Sequence, residues 1–143
     1  MKSVKELYEE VRQKQKQKQE EEQKPDEFTE ALFKYIEKAV CKAVEENLTS
    51  IELSIRLPNL YILRTGRVYF YTRYLDVDRE MEERIAQTLL FHFISDNIKK
   101  FKDIETILNN NKELLGYKKV ELSIDDESVI EINLTLFLCW DKQ

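Results

Sequence analysis

The chain has 143 residues, 42% apolar and 36% charged, with a net charge of −5 and only two glycines and two prolines. That is enough apolar chain for one domain with its own core, and too few glycines for the phosphate loops of P-loop and Rossmann folds. The acidic balance argues against a large nucleic-acid footprint, although a local patch can still be basic.

Cys41 and Cys139 are the only cysteines, and their separation fits no metal-binding spacing. A reducing, cytoplasmic setting is the simplest expectation. Residues 1–24 contain no apolar signal-peptide core, and no apolar run approaches the length of a membrane span. No cofactor or metal is expected. The abundance of Lys, Glu, Ile and Tyr with little Gly suits a thermophile or a small viral gene.

Residues 1–24 read as a charged arm, helical or flexible. Val4, Leu7, Tyr8 and Val11 fall at i, i+3, i+4 and i+7, which makes one short helical stripe. Residues 12–24 hold no apolar side chain; they favour helix locally but have nothing to bury. Pro25 breaks the arm from a single domain over residues 25–143. Asp26 and Glu27 then begin a helix whose stripe runs through Phe28, Ala31, Leu32, Tyr35, Ile36, Ala39, Val40, Ala43 and Val44 to a stop at Asn47. Cys41 borders that stripe and reads as a small packing residue.

Strict alternation marks residues 50–57 as a strand, with Ile51, Leu53, Ile55 and Leu57 on one face. After the Pro58-Asn59 turn, residues 60–65 and 67–74 read as a hairpin closed by Thr65-Gly66. In its second strand Val68, Phe70, Thr72 and Tyr74 share one face, and Arg67, Tyr69, Tyr71 and Arg73 share the other.

Asp76 or Asp78 can cap the next helix, with Met81, Ile85, Leu89, His92 and Phe93 as its buried side. His92, the only histidine, therefore reads as a packing residue. A bend near Asp96 or Lys102 should lead to a short helix holding Phe101, Ile104, Ile107 and Leu108. Val120, Leu122 and Ile124 mark a strand over 118–124. Residues 125–128 turn it into a last strand over 129–140, where Ile130, Ile132, Leu134, Leu136, Leu138 and Trp140 alternate without a break. This longest strand should be the spine of the sheet.

The expected fold is α+β in two layers. A mainly antiparallel sheet of about five strands carries helices on one face, and the N-terminal arm is appended. The other sheet face would then present Arg67, Tyr69, Tyr71 and Arg73. Tyrosine and arginine make good cross-strand pairs, serve as anchors at protein interfaces, and can stack on bases and meet phosphates. The segment lacks the second Gly or Ala of the RNP1 pattern found in RNA recognition motifs.

The leading expectation is a non-catalytic, intracellular interaction or regulatory protein. It would bind a protein partner through Arg67, Tyr69, Tyr71 and Arg73, through the stripe Val4, Leu7, Tyr8 and Val11, or through both. A small viral or mobile-element protein that binds and inhibits a host complex fits this pattern. Self-association through the arm or a sheet edge, giving a homodimer, is a further expectation. The alternative is single-stranded RNA or DNA binding through the Arg/Tyr face. A third reading, a metal-dependent hydrolase, would use the cluster of Glu121, Asp125, Asp126 and Glu131. No membrane partner is expected.

Overall fold

A computed structural model describes residues 3–23, 27–59, 67–90 and 92–143. The expected strand over 60–65 and its Thr65-Gly66 turn lie outside them. The elements run α1 (Val4–Gln23), α2 (Glu27–Glu45), β1 (Ser50–Pro58), β2 (Tyr69–Thr72), α3 (Arg79–Leu90), α4 (Ile94–Asn110), α5 (Lys112–Leu115), β3 (Tyr117–Asp125) and β4 (Glu131–Trp140). The protein is therefore α+β, with five helices and a four-stranded antiparallel sheet among the described residues.

Strand order is β2-β1-β4-β3, and every pair is antiparallel. β4 is central, as its long alternation implies. Register aligns Phe70, Ile55, Leu134 and Ile124 in one row across the sheet, and Thr72, Leu53, Leu136 and Leu122 in the next. Ile51, Leu53, Ile55, Leu57, Leu134, Leu136 and Leu138 are all buried there. They form one core with Phe28, Leu32, Tyr35 and Ile36 of α2, Ile85 and Leu89 of α3, and Phe101, Ile104 and Leu108 of α4. α2 packs on β1, α3 on β2 and α4 on β3. The Phe28 and Phe101 rings meet edge to face at 5.8 Å, tying the start of α2 to α4.

The helix ends follow from local chemistry. Asn47 adopts φ 60, and the amide of Leu48 returns to the Ala43 carbonyl at 2.8 Å, which closes α2 as a Schellman motif. Asp78 begins α3: its carboxylate accepts the Met81 amide at 3.1 Å, while its carbonyl accepts the Glu82 amide. Gly116 stops α5 at φ 84, a conformation that would strain a side chain.

Five expectations are corrected. α3 ends at Leu90, and α4 runs unbroken from Ile94 to Asn110, so the break falls before Asp96 and the expected short helix is the second half of α4. His92 and Phe93 lie in that break and are exposed, not packed in the core. The reason is Asn97: its side chain turns inward and reaches back to α3, so the chain must bend between them. Tyr74 does not share the buried face of β2. It sits at φ 63 and is 95% exposed, because the chain turns there and Leu75 takes the buried place. Cys41 is exposed rather than packed. Val129 and Ile130, expected at the start of the last strand, are exposed and precede β4.

Candidate partner-binding surfaces

The face of the sheet opposite the aliphatic rows collects the residues singled out by alternation. One row reads Tyr69, Arg56, Asn133, Asp125; the next reads Tyr71, Ser54, Thr135, Ser123. Beyond them the Arg73 amide bonds to the Glu52 carbonyl at 2.9 Å, and Glu52 pairs with Phe137, which pairs with Glu121. Tyr69, Tyr71 and Arg73 therefore stand together, with Arg56 beside them. Arg67 is exposed in the segment leading into β2. With Tyr69, Tyr71, Arg79 and Glu82 it lines a groove of about 340 Å³ between β2 and α3.

Charge on this face is interleaved. Arg73 meets the Glu52 carboxylate at 3.4 Å, and Lys119 meets Glu121 at 2.8 Å. Asp125 closes the Arg56 row. Tyr69 is 48% exposed. Tyr71 is half-buried, and its phenol ionises more readily than a free tyrosine. A side-chain hydrogen bond with Ser54 is the main cause, and the nearby Arg56 and Arg73 add to it against the opposing effect of burial. Asn133 Oδ1 is buried with no hydrogen-bond partner among the described residues.

The arm is helical over Val4–Gln23. Val4, Leu7, Tyr8 and Val11 are between 47% and 69% exposed, so the domain leaves the stripe uncovered. A second apolar surface, which sequence reasoning missed, lies at the far end of α2. Val40, Val44, Leu48, Leu115, Tyr117 and Trp140 form the apolar part of a groove of about 300 Å³, whose polar lining is Asn47, Thr49 and Asp141 to Gln143. The Tyr117 and Trp140 rings in its lining meet edge to face at 6.4 Å. Its lining comes from α2, the α5–β3 junction and the end of β4. No single periodicity reports it.

The carboxylates of the last hairpin do not gather into a site. Asp125 accepts the Glu127 amide at 3.2 Å, a turn contact, and Glu121 faces Lys119. Among the described residues no group of three or more His, Cys, Asp or Glu side chains could hold a metal ion.

A polar network was also missed. Tyr35 is fully buried, donates its hydroxyl to Glu82 Oε2 at 2.6 Å, and lies 2.7 Å from Thr72 Oγ1. It joins α2, β2 and α3. Burial drives the Tyr35 phenol far above the usual tyrosine range and raises the Glu82 carboxyl. Nearby, Lys38 bonds to Asp78 at 2.8 Å and holds that carboxyl below its usual range. The only advance signal was a tyrosine, with its polar hydroxyl, within an otherwise apolar stripe.

No family model, curated protein or solved structure matches this chain. Function must therefore be argued from the surfaces themselves. Among the described residues no helix is long and apolar enough to cross a membrane.

Proposed function

We propose that this is a non-catalytic interaction protein that binds and regulates a protein partner, such as a host assembly inhibited by a small viral or mobile-element protein. In this reading the helices cover the aliphatic face of the sheet. The opposite face, centred on Tyr69, Tyr71, Arg73 and Arg56, meets the partner. The stripe on α1 supplies a second contact of the helix-in-groove kind.

One observation carries the choice of protein over nucleic acid: the two tyrosines stand among arginines that are interleaved with carboxylates. Glu52 already pairs with Arg73, and Asp125 ends the Arg56 row. A phosphate backbone following this face would meet those carboxylates, whereas a protein surface of mixed charge can match them. Tyrosine and arginine are also the side chains that most often dominate protein interfaces.

The test is capture from source-cell extract by the full chain, after nuclease treatment. A protein retained by the wild type, lost with Tyr69→Ala plus Tyr71→Ala, and kept by a Lys102→Ala surface control supports the reading. Salt-dependent binding of a single-stranded oligonucleotide, lost with the same tyrosine pair, would replace it with the nucleic-acid alternative.

A further inference from the structure

The arm presents an apolar stripe without a groove, and the far end of α2 presents a partly apolar groove without an occupant. Val4, Leu7, Tyr8 and Val11 are at least 47% exposed, while Val44 is 54% and Leu48 42% exposed. The two surfaces lie at matching heights. Only residues 24–26 separate α1 from α2. Counting outward from that link at about 1.5 Å per residue, Val11 to Val4 lie about 20–30 Å along one helix. Val40 to Leu48 lie about 20–35 Å from the link, measured along α2 and its C-terminal cap. A helix α1 laid antiparallel along α2 therefore sets Val11 near Val40, Leu7 and Tyr8 near Val44, and Val4 near Leu48. Short links of this length commonly join antiparallel helices.

Within one chain the stripe stays exposed, so the arm does not fill its own groove. We infer that a second copy of this chain covers the groove with its helix α1, in a reciprocal exchange of arms. Such an exchange keeps the register just described, because each arm takes in its partner the place a folded-back arm would take at home. The area argues the same way. One stripe of four side chains is small against the roughly 1,600 Å² of a standard stable interface, and the two-fold symmetric pair doubles it. Trp140, Tyr117 and Tyr8 would be the aromatic anchors. The inference rests on the binding role given to α1 above and is independent of the sheet face.

The experiment is sedimentation velocity on the full chain over a range of concentrations. A wild-type dimer is expected. Leu7→Asp on the arm and Val44→Asp in the groove should each raise the dimer Kd by about 100-fold or more. Both positions are exposed in the single chain, so circular dichroism should be unchanged; Leu115→Asp is a second groove variant if Val44→Asp perturbs the fold. Mixing the arm and groove variants leaves one intact contact per pair and should restore a weaker heterodimer. Tyr69→Ala plus Tyr71→Ala should leave the dimer intact, which separates this result from failure of the sheet-face reading. A monomeric wild type at all concentrations would overturn the inference. So would a dimer that survives both groove variants, since that would be an arm-to-arm contact.

Discussion

Asn97, near the start of α4, donates its side-chain amide to the Leu89 carbonyl at 2.7 Å, joining the end of α3 to the next helix. Asn97 is only 2% exposed, and the carbonyl it bonds belongs to the last turn of α3, where no intrahelical donor remains. Asn97→Ala would leave that carbonyl only the longer bond from the His92 amide at 3.4 Å, and would open a small void. A loss of about 2 kcal/mol is expected, measured by urea unfolding. A loss below about 0.5 kcal/mol would mean that the His92 amide alone satisfies the carbonyl.

The Tyr35–Glu82 pair should give stability a pH dependence. Burial raises the Glu82 carboxyl, with Asp76 and Asp78 adding to the effect and the Tyr35 hydrogen bond opposing it. Between its unfolded and folded values, Glu82 is more protonated in the folded protein, so its contribution to stability falls as pH rises through that window. Glu82→Gln keeps an acceptor for Tyr35 and cannot ionise. The stability of Glu82→Gln relative to wild type should therefore grow as pH rises from about 4 to about 7. Thermal melts of the two proteins that stay parallel over this range would refute the link.

Much of the sheet was legible because period-2 alternation reports burial directly. Leu134, Leu136 and Leu138 are buried and central, and the Tyr69/Tyr71 face follows from the same alternation. Where the reading failed, a single contact overrode periodicity. His92 and Phe93 continue the apolar spacing of α3, yet Asn97 breaks the helix before them. Tyr74 continues the spacing of β2, yet a turn with positive φ ejects it. The α2-end groove was invisible for another reason. Val44, Leu115 and Trp140 are far apart in sequence, and only tertiary packing makes them neighbours.

The β3 edge bears on which surfaces can pair two copies. β3 lies at one end of the sheet order, where strands invite edge-to-edge association. Two side chains one turn apart on α4 engage it: Glu105 accepts the Leu122 amide, and Asn109 donates to the Val120 carbonyl at 3.2 Å. A second strand would have to displace both. The double variant Glu105→Ala, Asn109→Ala should lose about 1–3 kcal/mol and scatter more light on mild heating than wild type. Scattering equal to wild type would show that the edge is blocked by something other than these contacts.

Tyr71 supplies a spectroscopic handle on the sheet face itself. Its phenol is shifted down, whereas burial shifts Tyr35 and Tyr117 up. In an alkaline titration followed by phenolate absorbance, Tyr71 should ionise ahead of those two, and Tyr71→Phe should delete an early step. Ser54→Ala removes the hydrogen bond that contributes most and should move the step to higher pH with no change in its amplitude. Arg56→Gln should move it the same way by less, since the guanidinium acts through space rather than by that bond. A Ser54→Ala curve that overlays wild type would detach Tyr71 from Ser54. The tyrosine would then be free to swing away from the face, and the proposed contact would lose its best-held aromatic anchor.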